Sequence, residues 1–248
     1  MTEITSRDNK KVKNVIKLVS DRKYRDREGL FVAEGPVALA EALKSGVTIA
    51  ELYFTEKNTG IAQNAQADEK YLVSEKIMES MSDVKTPQGV LFVCLKSEGG
   101  ELEKGPILVL ENMRDSGNMG TVIRTAEGLG IKNIVLSGDC VDIYNPKTIR
   151  ASMGSAFRVR PVRMTVEQVK SYTEEHGMSF YVTALSESSE DIRKKDLKNA
   201  AVLIGNEALG ATPEALKAAD GHIIIPIQTA QSFNASVAAA IVLWEMAR

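Results

Sequence analysis

Apolar residues along this chain fall in short runs separated by helical repeats, and the alternation can be followed from end to end. In the first thirty residues Val12, Val15, Ile16 and Val19 recur at helical spacing. That places an apolar stripe on one helix and leaves the basic residues to share its outer face. Leu30–Ala33 reads as a strand. Glu34-Gly35-Pro36 opens a helix to about Ser45, closed by Gly46, and Ile49–Phe54 is the next strand. Residues 55–70 are polar, a surface helix or loop. Lys70–Val73 is strand-like, Glu75–Met81 helical, and Val90–Leu95 a closing strand. This is a small alternating α/β unit. Residues 97–105 are polar and glycine-rich and read as a linker between domains 1–96 and 106–248.

The second half repeats the alternation on a larger scale. Pro106–Asn112 is a buried parallel strand, and a loop from Met113 to Gly120 leads into a helix. On that helix Met119, Val122, Ile123, Ala126 and Leu129 share one face, and Gly130 closes it. Lys132–Leu136 is a strand, Asn145-Pro146 a turn, Lys147–Met153 helical and Ala156–Val162 extended. Val166–His176 is a helix stopped by Gly177; Phe180–Leu185 and Ala201–Gly205 are strands. Thr212-Pro213-Glu214 supplies an N-cap, a proline at the first helical position and an acid in the first turn. Such spacing predicts a mostly parallel sheet covered on both faces.

The last twenty-eight residues organise the rest. The β-branched run His222–Ile227, ended at Pro226, reads as a buried strand; the polar loop Gln228–Asn234 follows. Ala235–Met246 is apolar nearly all round, so as a helix it is buried or lies in a subunit interface. A polar loop between two such elements requires partners for its amides and hydroxyls, or is a site.

Charge and composition narrow the function. Residues 1–30 hold nine Lys/Arg against five acids, so this arm carries +4 and the remaining chain −6. A basic arm on an acidic body suggests a polyanion partner. Cys94 and Cys140 are far apart and read as buried thiols of a cytoplasmic protein; His176 and His222 are isolated. Metal chemistry and a Ser-His-Asp triad are therefore poorly supported, and no metal is expected. The N-terminus is polar and no run approaches membrane length, so no membrane partner is expected.

In a parallel sheet, ligands sit beyond the carboxyl ends of the strands. Three polar or glycine-bearing loops lie there: Asn112–Gly120, Gly205–Gly210 and Gln228–Asn234. None matches GxGxxG or GxxxxGK[ST]. Their contents are Asn112-x5-Asn118-x-Gly120-x3-Arg124-Thr125-Ala126, then Ile204-Gly205-Asn206-Glu207-x2-Gly210, then Ile225-Pro226 with Ser232-Phe233-Asn234-Ala235-Ser236-Val237-Ala238. Together they resemble the three motifs of the SpoU/TrmH-type RNA 2′-O-ribose methyltransferases, of the SPOUT superfamily. Arg150–Arg158 is also similar to a family stretch, and residues 1–95, with Phe31-Val32-Ala33-Glu34-Gly35, resemble the substrate-binding domain of many members. Two departures stand out: the Ile227–Gln231 loop is one residue short and lacks the usual glycine, and Phe233 stands where leucine is usual.

The resemblance implies an α/β knot (trefoil) domain preceded by a small α/β RNA-binding domain. It further implies S-adenosyl-L-methionine as methyl donor and a homodimer through the C-terminal domain. Carried onto this sequence, the cofactor positions are Gly205, Glu207, Ile225, Ile227 and Phe233. The catalytic positions are Asn118, Arg124, Ser232 and Asn234. Lys10, Lys11, Lys13, Arg150 and Arg158 are the candidate RNA contacts. A guanidinium does not readily give up its proton, so Arg124 is expected to grip phosphate and stabilise a developing alkoxide, with Asn118 and Ser232 orienting the hydroxyl. Ribosomal RNA is the expected substrate. A tRNA methyltransferase, a catalytically silent RNA-binding module of the same fold and a dinucleotide-dependent oxidoreductase are the alternatives.

Overall fold

A computed structural model describes residues 1–97, 99–229 and 232–248. Glu98 of the expected linker and Ala230 and Gln231 of the expected Gln228–Asn234 loop lie outside the described residues. The chain forms two units, Met1–Ser97 with Asp142–Arg158, and Glu98–Val141 with Val159–Arg248.

The first unit begins with β1 (Thr2–Ile4), too short to read from its pattern. The side chain of Asn9 caps α1 (Lys10–Ser20), whose buried stripe is Val12, Val15 and Leu18. Ile16 is exposed, so Leu18 takes the place expected for it. Asp21 has extended φ and ψ and caps a second helix, α2 (Arg22–Glu28), which ends at Gly29 with φ 65°. A left-handed residue at this point favours glycine. Then come β2 (Leu30–Glu34), α3 (Pro36–Lys44), β3 (Ile49–Phe54), α4 (Thr59–Asn64), β4 (Glu69–Val73), α5 (Glu75–Met81) and β5 (Val90–Leu95). The sheet order is β1-β4-β3-β5-β2, with β5 antiparallel to both of its neighbours. Val12, Val15 and Leu18 share a core cluster with Tyr53, Met78, Leu91 and Val93.

In the second unit β6 (Ile107–Glu111) is followed by α6 (Ser116–Gly128) and β7 (Ile134–Ser137). The loop expected to reach Gly120 stops at Asp115, whose side chain caps α6. Gly117 and Asn118 therefore stand in the first helical turn. Residues 142–158, including α7 (Pro146–Ala151), belong to the first unit, where α7 packs on β2. The expected extended stretch Ala156–Val162 is mostly otherwise: Ser155–Phe157 is a short three-ten turn, and only Val162–Arg163 forms a strand, β8. Gly154, with φ 94°, turns the chain there, and the Phe157 ring packs 6.2 Å from Phe31 and 6.4 Å from Phe92.

The rest of the second unit is α8 (Val166–Glu175), β9 (Ser179–Thr183), β10 (Glu190–Asp191), β11 (Ala200–Ile204), α9 (Pro213–Ala218), β12 (Gly221–Ile224) and α10 (Ala235–Ala247). Its seven strands run in the order β10-β12-β9-β11-β6-β7-β8, every pairing parallel. β12 ends at Ile224, short of the expected end at Pro226. α10 packs on α6 and β11. The parallel α/β class implied by the motifs is the one found.

One buried ion pair fixes residues 142–158 in the first unit. Arg25 Nε donates to Asp142 Oδ2 at 2.8 Å, and its Nη1 donates to Leu18 O at 2.7 Å and Val19 O at 3.2 Å. Both side chains are buried. Asp142→Ala should cost about 3–5 kcal/mol, because it strands a buried guanidinium. Urea unfolding of both proteins measures it; a loss below about 1 kcal/mol would mean that the site reorganises around water.

Candidate active site

The site grows from the carboxyl end of β6. Glu111 is only 3% exposed, unusual for an acid. Its carboxylate accepts from the backbone N–H of Thr212 at 2.9 Å and from the Thr212 hydroxyl at 2.7 Å. Thr212 in turn caps α9, accepting from Ala215 N at 3.2 Å. Next to Glu111, Asn112 sits in the left-handed region at φ 53°. Its side-chain oxygen accepts from Asp139 N and its backbone oxygen from Asn206 Nδ2, both at 2.8 Å. The end of one strand thus holds the loops after β7 and β11. Glu111→Ala should deprive the Thr212 N–H and O–H donors of their acceptor and destabilise the fold by about 1–3 kcal/mol. Thermal unfolding checks this, with Glu111→Gln losing less because one acceptor remains.

The loop after β11 closes on itself. Asn206 and Gly210 exchange backbone hydrogen bonds, both 2.9 Å, and the Asn206 side chain accepts from Ala208 N and Leu209 N. A Cβ on Gly205 would stand 2.2 Å from the backbone of Gly210 and Ala211, so only glycine fits. Glycine at 205 therefore serves loop closure directly. Leu209 is left at the tip, 88% exposed. Between this loop and Asn112 and Arg114 lies a hollow of about 580 Å³, within the size range of small-molecule sites.

The first turn of α6, the loop after β11 and the cap of α10 meet beside it. Asn118 is held by its backbone N–H, which donates to Asp115 Oδ1 at 2.7 Å. Its side chain donates to Glu207 Oε1 and accepts from Asn234 Nδ2, each at 3.1 Å. Glu207 also accepts from Asn206 at 3.3 Å, and Asn234 Oδ1 caps α10 through Ser236 N at 2.8 Å. Arg114, Asp115, Asn118, Glu207 and Asn234 line a second hollow of about 590 Å³. Asn118, Glu207 and Asn234 are thus brought together. Arg124 and Ser232 are exposed and stand outside this hydrogen-bonded set, as does Phe233; Ile225 and Ile227 are half-buried beyond β12.

The candidate RNA contacts lie in the first unit, most of them in ion pairs. Lys10 is exposed. Lys11 bonds Glu51 at 2.6 Å and also Glu69. Burial works against its charge, but the two carboxylates outweigh this and raise its pKa. Lys13 pairs with Asp8 at 2.8 Å, Arg150 with Asp83, and Arg158 with Glu41 at 3.0 Å. These acids lie up to 117 residues away in sequence, beyond the reach of local charge patterns. Glu111, Asp115 and Asn206 were not among the expected site residues. Two of them carried a legible signal: an acid ending a buried apolar strand, and an N-cap residue three before Asn118.

α10 buries Ala235, Ala239, Val242, Leu243 and Met246. Its other side, with Val237, Ala240, Ile241 and Trp244, borders Thr121 and Thr125 of α6 and Leu129 just past its end around an apolar hollow of about 640 Å³. Trp244 is 59% exposed. Among the described residues no cluster of His, Cys, Asp and Glu is arranged to hold a metal, and no helix is long and apolar enough to cross a membrane.

Comparison with known proteins adds independent findings. Residues 105–244 match the model of the SpoU rRNA Methylase family, and residues 9–91 match that of an MRM3-like substrate binding domain. The 23S rRNA (guanosine(2553)-2′-O)-methyltransferase RlmP of Bacillus subtilis is 30% identical over 247 residues, covering 99% of each chain. The AdoMet-bound rRNA methyltransferase of Sinorhizobium meliloti superposes with a TM-score of 0.85 at 29% identity, covering 99% of this chain and 97% of its own. AviRb of Streptomyces viridochromogenes, at 22% identity and a TM-score of 0.86, shares the fold over 96% of this chain and 97% of its own.

Proposed function

The chain belongs to the SpoU rRNA Methylase family, and from that premise we propose that it transfers a methyl group from S-adenosyl-L-methionine to a ribose 2′-hydroxyl of ribosomal RNA. The observation that carries this reading is the convergence of Asn118 from the first turn of α6, Glu207 from the loop after β11 and Asn234 from the cap of α10 at one end of the parallel sheet.

The residues fit the cofactor. The hollow after β11 has the right size, and Glu207 at its edge supplies a carboxylate for a cationic sulfonium. Of the expected cofactor positions Glu207 lines this hollow and Gly205 closes the loop that forms it, while Ile225, Ile227 and Phe233, which do not line it, would hold the cofactor from the segment after β12. When bound, it supplies an electrophilic methyl group on sulfur. The protein must then align the hydroxyl and favour loss of its proton. Alignment alone contributes about 7–11 kcal/mol in well-oriented systems. Asn118 and Asn234 present amides to the second hollow, and Ser232 joins them in orienting the hydroxyl. Arg124 grips the phosphate and stabilises the developing alkoxide. No step requires a metal.

Domain 1–96 selects the RNA through Lys10, Lys11 and Lys13, joined by Arg150 and Arg158; 97–105 is the linker and 106–248 the methyltransferase domain. The apolar hollow between α6 and α10 is the homodimer interface, a reading supported by exposed Trp244 and Val237. Two buried cysteines outside any disulfide, Cys94 and Cys140, are in keeping with the cytoplasm. Mapping 2′-O-methylated positions in ribosomal RNA from cells with and without the gene tests the function. One position lost on deletion and regained on complementation is expected; an unchanged map would overturn it.

A further inference from the structure

The second hollow has an electrostatic problem. Two of its five lining side chains, Asp115 and Glu207, are carboxylates, yet the substrate that must enter it is a polyanion. Among the described residues lining this hollow and the one beside it, Arg114 is the one cation, and it lines both.

Arg114 is also set on a rigid mount. Met113 before it is fully buried, and its backbone oxygen accepts from Val141 N at 2.8 Å. Asp115 after it caps α6. The backbone is pinned on both sides while the side chain is 70% exposed. Its ion-pair partner, Asp139, is 73% exposed, with Arg114 Nη2 and Asp139 Oδ2 3.4 Å apart. A pair this long between two solvated groups is worth little and is easily exchanged. Arg114 falls between the motif residues Asn112 and Asn118, so the motifs assign it no role.

We propose that Arg114 is a substrate-positioning residue that binds an RNA backbone phosphate beside the ribose to be methylated. This rests on the methyltransferase reading above. A guanidinium forks onto a phosphodiester with two parallel hydrogen bonds, which fixes orientation as well as contact. The cofactor's own carboxylate is the competing ligand. It is the weaker one because the sulfonium and ammonium make the whole cofactor a net cation, which an arginine does not attract.

The test uses the full-length protein and ribosomal RNA purified from cells lacking the gene. RNA binding is measured directly across a salt series for the parent, Arg114→Ala and Arg114→Lys, and S-adenosylmethionine binding by calorimetry. Arg114→Ala should weaken RNA binding about tenfold and lower the log–log salt slope by roughly 0.7–0.9, the signature of one lost phosphate contact. Cofactor affinity should stay within about twofold. Arg114→Lys should restore the slope but only part of the affinity, since an ammonium cannot fork. Where turnover is measured, the RNA KM should rise more than kcat falls. An unchanged RNA slope overturns the proposal, and a loss of cofactor affinity in its place assigns Arg114 to the cofactor carboxylate. Because binding is read without turnover, a parent protein that binds RNA but methylates nothing would defeat the methyltransferase reading, while the slopes would still decide Arg114.

Discussion

Arg124→Ala should abolish methyl transfer while leaving cofactor affinity nearly unchanged. Arg124 is exposed on α6, six residues after Asn118, and does not line the hollow after β11. Nothing in that position ties it to the cofactor. Its proposed work is on RNA: a forked contact to phosphate and stabilisation of negative charge on the attacking oxygen. Removing one such stabilising donor costs on the order of 10²–10³ in rate, about 2.7–4 kcal/mol. Arg124→Lys should fail almost as badly, because a point charge does not reproduce the fork. Single-turnover rates, with calorimetry for the cofactor, separate the two effects. A variant that loses the cofactor yet keeps its turnover per bound cofactor would show that the assigned role is wrong.

Ala240→Glu should convert the protein to a monomer and remove its activity with it. The helix α10 has no polar face. α10 buries one side within its own unit, and the other side still carries Val237, Ala240, Ile241 and Trp244. An apolar groove with an exposed tryptophan at its edge needs a cover in water. A carboxylate at its centre must be desolvated without a partner, which costs several kcal/mol and exceeds what most interfaces can spare. Ala240 is only half-buried in the single chain, and the inward-facing Ala239 and Val242 are untouched, so the fold should survive. Light scattering reads the mass and circular dichroism the fold. A well-folded monomer is expected; an active dimer of unchanged mass would remove this face from the interface.

What the sequence disclosed followed from local rules. Buried strands such as Ile107–Glu111 and Ala200–Ile204 are continuous apolar runs with no other reading once their spacing is known. The start of α6 was hidden because Ser116-Gly117 resembles a turn, and only the Asp115 cap shows that the helix has begun. β1 and β10 are three and two residues long, below the span in which alternation carries a signal. The site was legible as three loops but not as a hydrogen-bonded set, because Asn118 and Asn234 lie 116 residues apart. The basic arm was legible as charge, whereas Glu51 and Glu69, which hold Lys11, come from distant strands. The membership of residues 142–158 in the first unit depends on Arg25 meeting Asp142 and on the Phe31 and Tyr144 rings packing 4.7 Å apart. No periodicity reports such contacts. One physical consequence is that deleting residues 1–95 would uncover Phe157 and Ile149, so the arm is better tested by point substitutions at Lys10 and Lys13.

The activity proposed for this chain is methylation of a ribose hydroxyl of ribosomal RNA. Its most direct measurement is to incubate the purified full-length protein with methyl-labelled S-adenosylmethionine and ribosomal RNA from cells lacking the gene, with EDTA present. The RNA is then digested to nucleosides and the label located. The expected result is label in one 2′-O-methylated nucleoside, absent with Arg124→Ala. Label on a base, or none from a protein that binds both cofactor and RNA, would contradict it.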